Sequence, residues 1–200
     1  MKKGQINRGS KLGEIIYKFA SNPEVIIIVE IGTWNGMGTT KCIYDAVIST
    51  RIPKRIYSLE CNKSRHEEAK INLGILPKNF KLVHGTIVDA KELNSILESL
   101  QNDTHKGWLK EDIRWIKNTP NVLNELPKKI DLLIIDGGEF SGEIEFNKLY
   151  KRSRFIILDD TNSNKHKKTK EFIKSKPQQF KIIEDNITER NGYLICEVLC

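Results

Sequence analysis

Five short apolar runs, each followed by a stretch with helical spacing, set the rhythm of this chain. Val25-Ile26-Ile27-Ile28 leads into Val29-Glu30-Ile31, and the theme returns at Arg55–Leu59, Phe80–His84, Ile130–Ile135 and Phe155–Leu158. Unbroken, β-branched runs of this length predict strands buried on both faces, as in a parallel sheet. The segments around them carry helix signals. Ser10 is placed to cap a helix with Leu12, Ile15, Ile16 and Phe19 on one face, stopped at Asn22-Pro23. Lys41–Ile48 predicts a second, with Cys42, Ala46 and Tyr44 inward. Ser64-Arg65-His66-Glu67 reads as a capping box for a third, closed by Gly74. Asp89 heads a fourth with Leu93, Ile96, Leu97 and Leu100 on one face, and others are expected around Phe146, Leu149 and Tyr150 and over about Lys168–Lys174. Phe180–Ile183 and Gly192–Leu199 flank a polar turn and predict a hairpin. The whole reads as one α/β domain over residues 1–200.

Two segments stand outside this rhythm. Residues 1–9 are polar and read as a mobile lead-in. Gln101 to Lys129 is longer than a connection between helix and strand needs, and it holds His105, Trp108, Ile113, Trp115 and Ile116 in a second amphipathic stretch. An insertion of this kind in an α/β fold predicts a cap over a substrate site, at about residues 101–129, although the aromatics would serve equally as core.

Candidate chemistry gathers at the predicted carboxyl ends of the strands, where open α/β sheets bind ligands. The first strand ends in Glu30-Ile31-Gly32-Thr33-Trp34-Asn35-Gly36-Met37-Gly38. This is not the G-x-G-x-x-G of a dinucleotide site, and a carboxylate at its mouth suits a ligand bearing an ammonium group better than a pyrophosphate. Glu60 ends the second strand, at the distance where a carboxylate grips ribose hydroxyls. Gly85-Thr86 follow the third strand, Asp136-Gly137-Gly138-Glu139 the fourth, and Asp159-Asp160-Thr161-Asn162 the fifth.

The Glu30/Gly32/Gly36/Gly38 loop resembles motif I of the class I S-adenosylmethionine (SAM) methyltransferases, and the order of elements from about residue 24 onward is similar to theirs. The resemblance implies a Rossmann-like fold with a seven-stranded, mostly parallel sheet whose last strand is antiparallel. It implies SAM held by Glu30, Gly32, Thr33, Gly36 and Gly38, with Glu60 on the ribose and Gly85 and Thr86 beside the adenine. Ile135-Asp136-Gly137 followed by Leu158-Asp159-Asp160 looks like the metal-dependent sugar O-methyltransferases of the macrocin O-methyltransferase and cephalosporin-hydroxylase-like type. That implies a divalent cation, Mg²⁺ by preference, on Asp136, Asp159 and Asp160, and a hydroxyl of a sugar or glycan precursor as methyl acceptor. Those relatives carry an acid two residues after the first Asp. Here that position is Gly138, so Glu139 becomes the expected general base, with Asp136 beside it.

Composition changes this picture little. The chain holds 33 Lys and Arg against 26 Asp and Glu, a net charge of +7, which admits a nucleic acid acceptor as the alternative. Against it, the basic residues are scattered and the fourth strand lacks an N-P-P-Y-type motif. A SAM-binding module without chemistry is the third reading, suggested by Gly138. No apolar run approaches bilayer length, and the four cysteines form no C-x-x-C pair, so reduced thiols in a cytoplasmic chain are expected. Oligomeric state leaves no mark in the sequence.

Overall fold

A computed structural model describes residues 4–199. Seven strands form one sheet: β1 (Ile27–Ile31), β2 (Arg55–Glu60), β3 (Phe80–His84), β4 (Ile130–Ile135), β5 (Ser153–Asp159), β6 (Phe180–Asn186) and β7 (Tyr193–Val198). Their spatial order is β3-β2-β1-β4-β5-β7-β6. The first five run parallel, and β7 lies antiparallel between β5 and β6. The helices are α1 (Lys11–Ser21), α2 (Thr39–Thr50), α3 (Lys63–Leu73), α4 (Ala90–Ser99), α5 (Asp103–Lys117), α6 (Gly142–Leu149) and α7 (Lys167–Lys174).

Strand alternation divides the core into two layers. On β4, Leu132 and Ile134 pack with Leu12 and Ile16 of α1 and Ile43 and Val47 of α2. Leu133 and Ile135 point the other way, toward Leu93, Leu109, Ile113, Phe146 and Ile173 of α4 to α7. Both faces of β4 are therefore covered, which is why its sequence shows an unbroken apolar run. Asp131 ties the strand starts together: its Oδ2 accepts from the backbone N–H of Ile26 and of Ile27 at 2.8 and 2.7 Å.

Several boundaries differ from expectation. Asn62, not Ser64, caps α3, because its side chain accepts from the Arg65 N–H and the helix begins two residues earlier. The Asp89/Glu92 pair forms the real capping box, heading α4. The segment before α1 is anchored at Gly4 and Ile6, which are buried. The Gly4 N–H donates to the Met37 carbonyl at 3.0 Å, and a Cβ on Gly4 would lie 2.4 Å from the Gly38 Cα, so this segment lies directly on the glycine loop. The long insertion forms α5, whose Leu109, Ile113 and Ile116 are core residues, while Trp108 is half exposed. Among the described residues no helix is long and apolar enough to cross a membrane, and Cys42, Cys61 and Cys196 are free thiols.

Candidate active site

A cavity of about 430 Å³ opens at the carboxyl ends of the parallel strands. That is within the size range of small-molecule sites. The loop after β1 forms its floor. Gly32 sits at φ +100°, where a Cβ would lie 2.3 Å from the Asp136 carbonyl oxygen, so only glycine lets the loops after β1 and β4 pass this closely. The Gly32 and Thr33 N–H groups both donate to the Leu59 carbonyl, fixing the loop to β2.

Glu60, Gly85 and Thr86 line one end of the cavity. The Glu60 carboxylate accepts one backbone N–H on each oxygen, from Trp34 at 2.7 Å and from Asn62 at 2.8 Å. Each oxygen keeps acceptor capacity for a further donor. Burial raises its pKa, partly offset by those two donors. Helix α5 forms the wall beside it with Asp112, Trp115 and Ile116. Burial, then the neighbouring Glu111 and Glu139, push Asp112 up to about 6.

The other end is a charged cluster. Asp136, Asp159 and Asp160 bring carboxylate oxygens within 4.8 Å of one another. Successive side chains of a strand point to opposite faces. Asp160 escapes that rule because its backbone turns left-handed, at φ 55°, which lets two consecutive acids join one cluster. Lys165 enters it from the loop before α7 and is only 5 % exposed. Its Nζ lies 3.0 Å from Asp136 Oδ1 and 3.3 Å from Asp160 Oδ2. Arg190, from the turn between β6 and β7, places Nη2 3.1 Å from Asp159 Oδ2 and 3.5 Å from Asp160 Oδ1. Asp159 Oδ2 makes no aligned hydrogen bond, so that contact is charge pairing. Burial works against the Lys165 ammonium, but the three carboxylates outweigh it and hold its pKa above the ordinary value. Burial and the adjacent Asp136 push Asp159 up. Burial would also raise Asp160, but Lys165, the Asn191 hydrogen bond and Arg190 together outweigh it and the net direction is down.

Glu145, on α6, also lines the cavity. It is 5 % exposed, and its Oε2 has no hydrogen-bond partner among the described residues. Burial, eased by a hydrogen bond from Ser141, pushes it up to about 7.

The cavity lining thus brings together Gly32, Thr33, Gly38, Glu60, Gly85, Thr86, Asp136 and Asp160 from widely separated segments. Four expected residues lie outside the lining, among them Asp159, which belongs to the acid cluster but is only 2 % exposed. Glu30 is fully buried beneath the loop, where its carboxylate accepts from the Thr40 hydroxyl at 2.8 and 3.0 Å and from the Ser58 hydroxyl. Burial pushes it up to about 8 despite those donors. Gly36, at φ +78°, turns the loop against Leu73 and Ala69 of α3. Glu139 is half-buried and outside the lining, and Glu145 reaches the cavity in its place. Lys165, Arg190, Glu145 and Asp112 went unrecognised in the sequence, where each is one charged residue among many.

The sheet order, with its reversed seventh strand, decides the architecture. This is the class I methyltransferase fold. An O-methyltransferase from Bacillus cereus in complex with SAH shares it at a TM-score of 0.64 and 16% identity, over 98% of this chain and 84% of that one. Cofactor-bound Rv0187 from MTB matches at 0.61 and 15%, over 98% and 84%. M. capricolum TrmK, in complex with its natural cofactor product SAH, matches at 0.53 and 15%, over 94% and 66%. No family model and no curated protein matches the sequence. At such identities the likeness to class I methyltransferases is one of fold.

Proposed function

We propose that this chain binds SAM and transfers its methyl group to a hydroxyl of a small molecule. The observation that carries the reading is the polarity of this cavity: a carboxylate with spare acceptor capacity at one end, and a buried acid-base cluster at the other. When bound, SAM supplies an electrophilic methyl on a sulfonium centre. Glu60 accepts from the two ribose hydroxyls, using the capacity its backbone donors leave. Thr86 and the α5 residues Trp115 and Ile116 enclose the base. The first turn of α2 has no side-chain cap, so its N–H groups suit the carboxylate of the methionine end. The acid-rich lining suits the net positive charge of the cofactor.

With SAM bound at the transfer end, an acceptor oxygen would bond to the methyl group as the methyl–sulfur bond broke, and the electron pair would stay on sulfur. Glu145 takes the hydroxyl proton on its unpartnered Oε2. Helix α5 and residues Gly4–Ile6 border the cavity and exclude water from it. Three hard carboxylates are the right donor type for a divalent cation. However, Lys165 and Arg190 already pair with all three acids, so the set as it stands does not fit a divalent ion.

Calorimetry with S-adenosylhomocysteine, followed by labelled-SAM transfer to sugars, nucleotide sugars, catechols and RNA, tests the reading. Folded protein that binds no S-adenosylhomocysteine would end it. Methyl transfer to RNA alone would replace the acceptor class.

A further inference from the structure

Resting on the methyltransferase reading, we propose that Lys165 is the resident cation of the transfer site: its ammonium stands where a divalent metal would otherwise sit, and it steadies the acceptor oxygen. Four observations carry this. Lys165 touches two of the three acids, at 3.0 Å from Asp136 and 3.3 Å from Asp160. The third acid is paired with Arg190 at 3.1 Å, so every member of the cluster already has a protein cation. The Lys165 side chain is 4 % exposed and therefore cannot swing into solvent without opening the site. It also lines the cavity, so the charge it carries is presented to whatever binds there.

The chemistry follows from counting donors. An ammonium has three N–H groups. Asp136 Oδ1 and Asp160 Oδ2 take two, and the third remains for the acceptor oxygen. A charged donor beside a hydroxyl favours loss of its proton, the service a metal gives in a metal-dependent transferase. The cluster also explains why these acids need no ion to relieve their repulsion. Three carboxylates with two protein cations leave one net negative charge, whereas adding a divalent ion would turn that into a net positive charge in a buried site.

The test is Mn²⁺ binding, measured by calorimetry and electron paramagnetic resonance on the full chain. The wild-type protein should bind no Mn²⁺ more tightly than about 1 mM, the range of a loose carboxylate site. Lys165→Met, which keeps the length of the side chain and removes the charge, should gain a site at least tenfold tighter. Lys165→Arg should not gain it, and Lys165→Met combined with Asp159→Asn should lose it again. A tight, stoichiometric Mn²⁺ site in the wild type that Asp159→Asn abolishes would overturn the proposal. That arm needs only the wild-type and Asp159→Asn chains, so it decides the matter even where Lys165→Met does not fold. A folded Lys165→Met that binds Mn²⁺ no better than wild type would overturn it as well. S-adenosylhomocysteine affinity, measured alongside, should stay within threefold of wild type in Lys165→Met. Loss of cofactor binding in the wild type would remove the methyltransferase reading while leaving the Mn²⁺ result to stand on its own.

Discussion

The two ends of the cavity are built in different ways. The cofactor end is mostly backbone: a glycine loop, one carboxylate held by two N–H groups, and a second short loop, within residues 32–86, with α5 side chains added as a wall. The transfer end is mostly side chains, drawn from the ends of β4 and β5, the loop before α7 and the β6–β7 turn. Backbone geometry recognises a constant ligand and is written in contiguous sequence. A charge cluster is written in pieces, and its members acquire meaning only through their partners.

The most severe way to separate the ends is Glu145→Gln. Turnover should fall by about 100-fold or more, the usual worth of a positioned base, with S-adenosylhomocysteine affinity nearly unchanged. Equal losses in both would place Glu145 on the cofactor. The reciprocal change, Glu60→Ala, should weaken S-adenosylhomocysteine by about 1.5–3 kcal/mol, the scale of charged hydrogen bonds. Calorimetry showing no loss would dissolve the distinction between the two ends.

A pH profile sharpens the contrast further. A base must be deprotonated to accept, so turnover should climb with pH through about 7, where burial holds Glu145. The Glu145→Gln variant should lose that rise, and a profile unchanged by the substitution would point to a different base. Glu30→Gln, under the loop, should have the smallest effect and only on stability. Glu30 ordinarily loses its proton near 4.5, but folded it holds on to about 8. The folded state therefore binds more protons than the unfolded one across that interval, and this contribution is present in full at low pH and lost as pH rises toward 8. Thermal melts of the variant should show a flatter decline between those limits, and an unaltered slope would mean Glu30 is not the titrating group.

The difference between the ends also explains what could be read in advance. The five parallel strands, the terminal hairpin, the loop glycines and Glu60 follow from local spacing, the reversed last strand from the resemblance to class I methyltransferases, and the convergence of Asp136, Asp159 and Asp160 from strand ends lying side by side. Glu30 was legible as an acid near a strand end but not in direction. The strand alternation that sends Ile31 toward α4 to α7 sends Glu30 under α2, and a single step of register separates a cavity residue from a buried one. Lys165 was invisible for a related reason. It stands in Lys165-His166-Lys167-Lys168, where nothing local separates the buried Lys165 from the exposed Lys167 and Lys168. Glu145 shares a helix with Glu143, and only the face that α6 turns to the cavity distinguishes them.

The place of Arg190 has a consequence for how the protein is made. Ribosomes release a chain from its N-terminus, so β1 to β3 and their loops exist before any acid of the transfer end has been synthesised. Asp136, Asp159 and Asp160 follow, and Lys165 comes soon after. A chain that ends anywhere between Lys165 and Arg190 holds the three acids of the cluster and one of its two cations. The hairpin then docks β7 on β5 with Tyr193 opposite Asp159, and Arg190 arrives beside that acid. Pairing β7 with β5 and bringing the second cation to the acids are thus one and the same step of assembly.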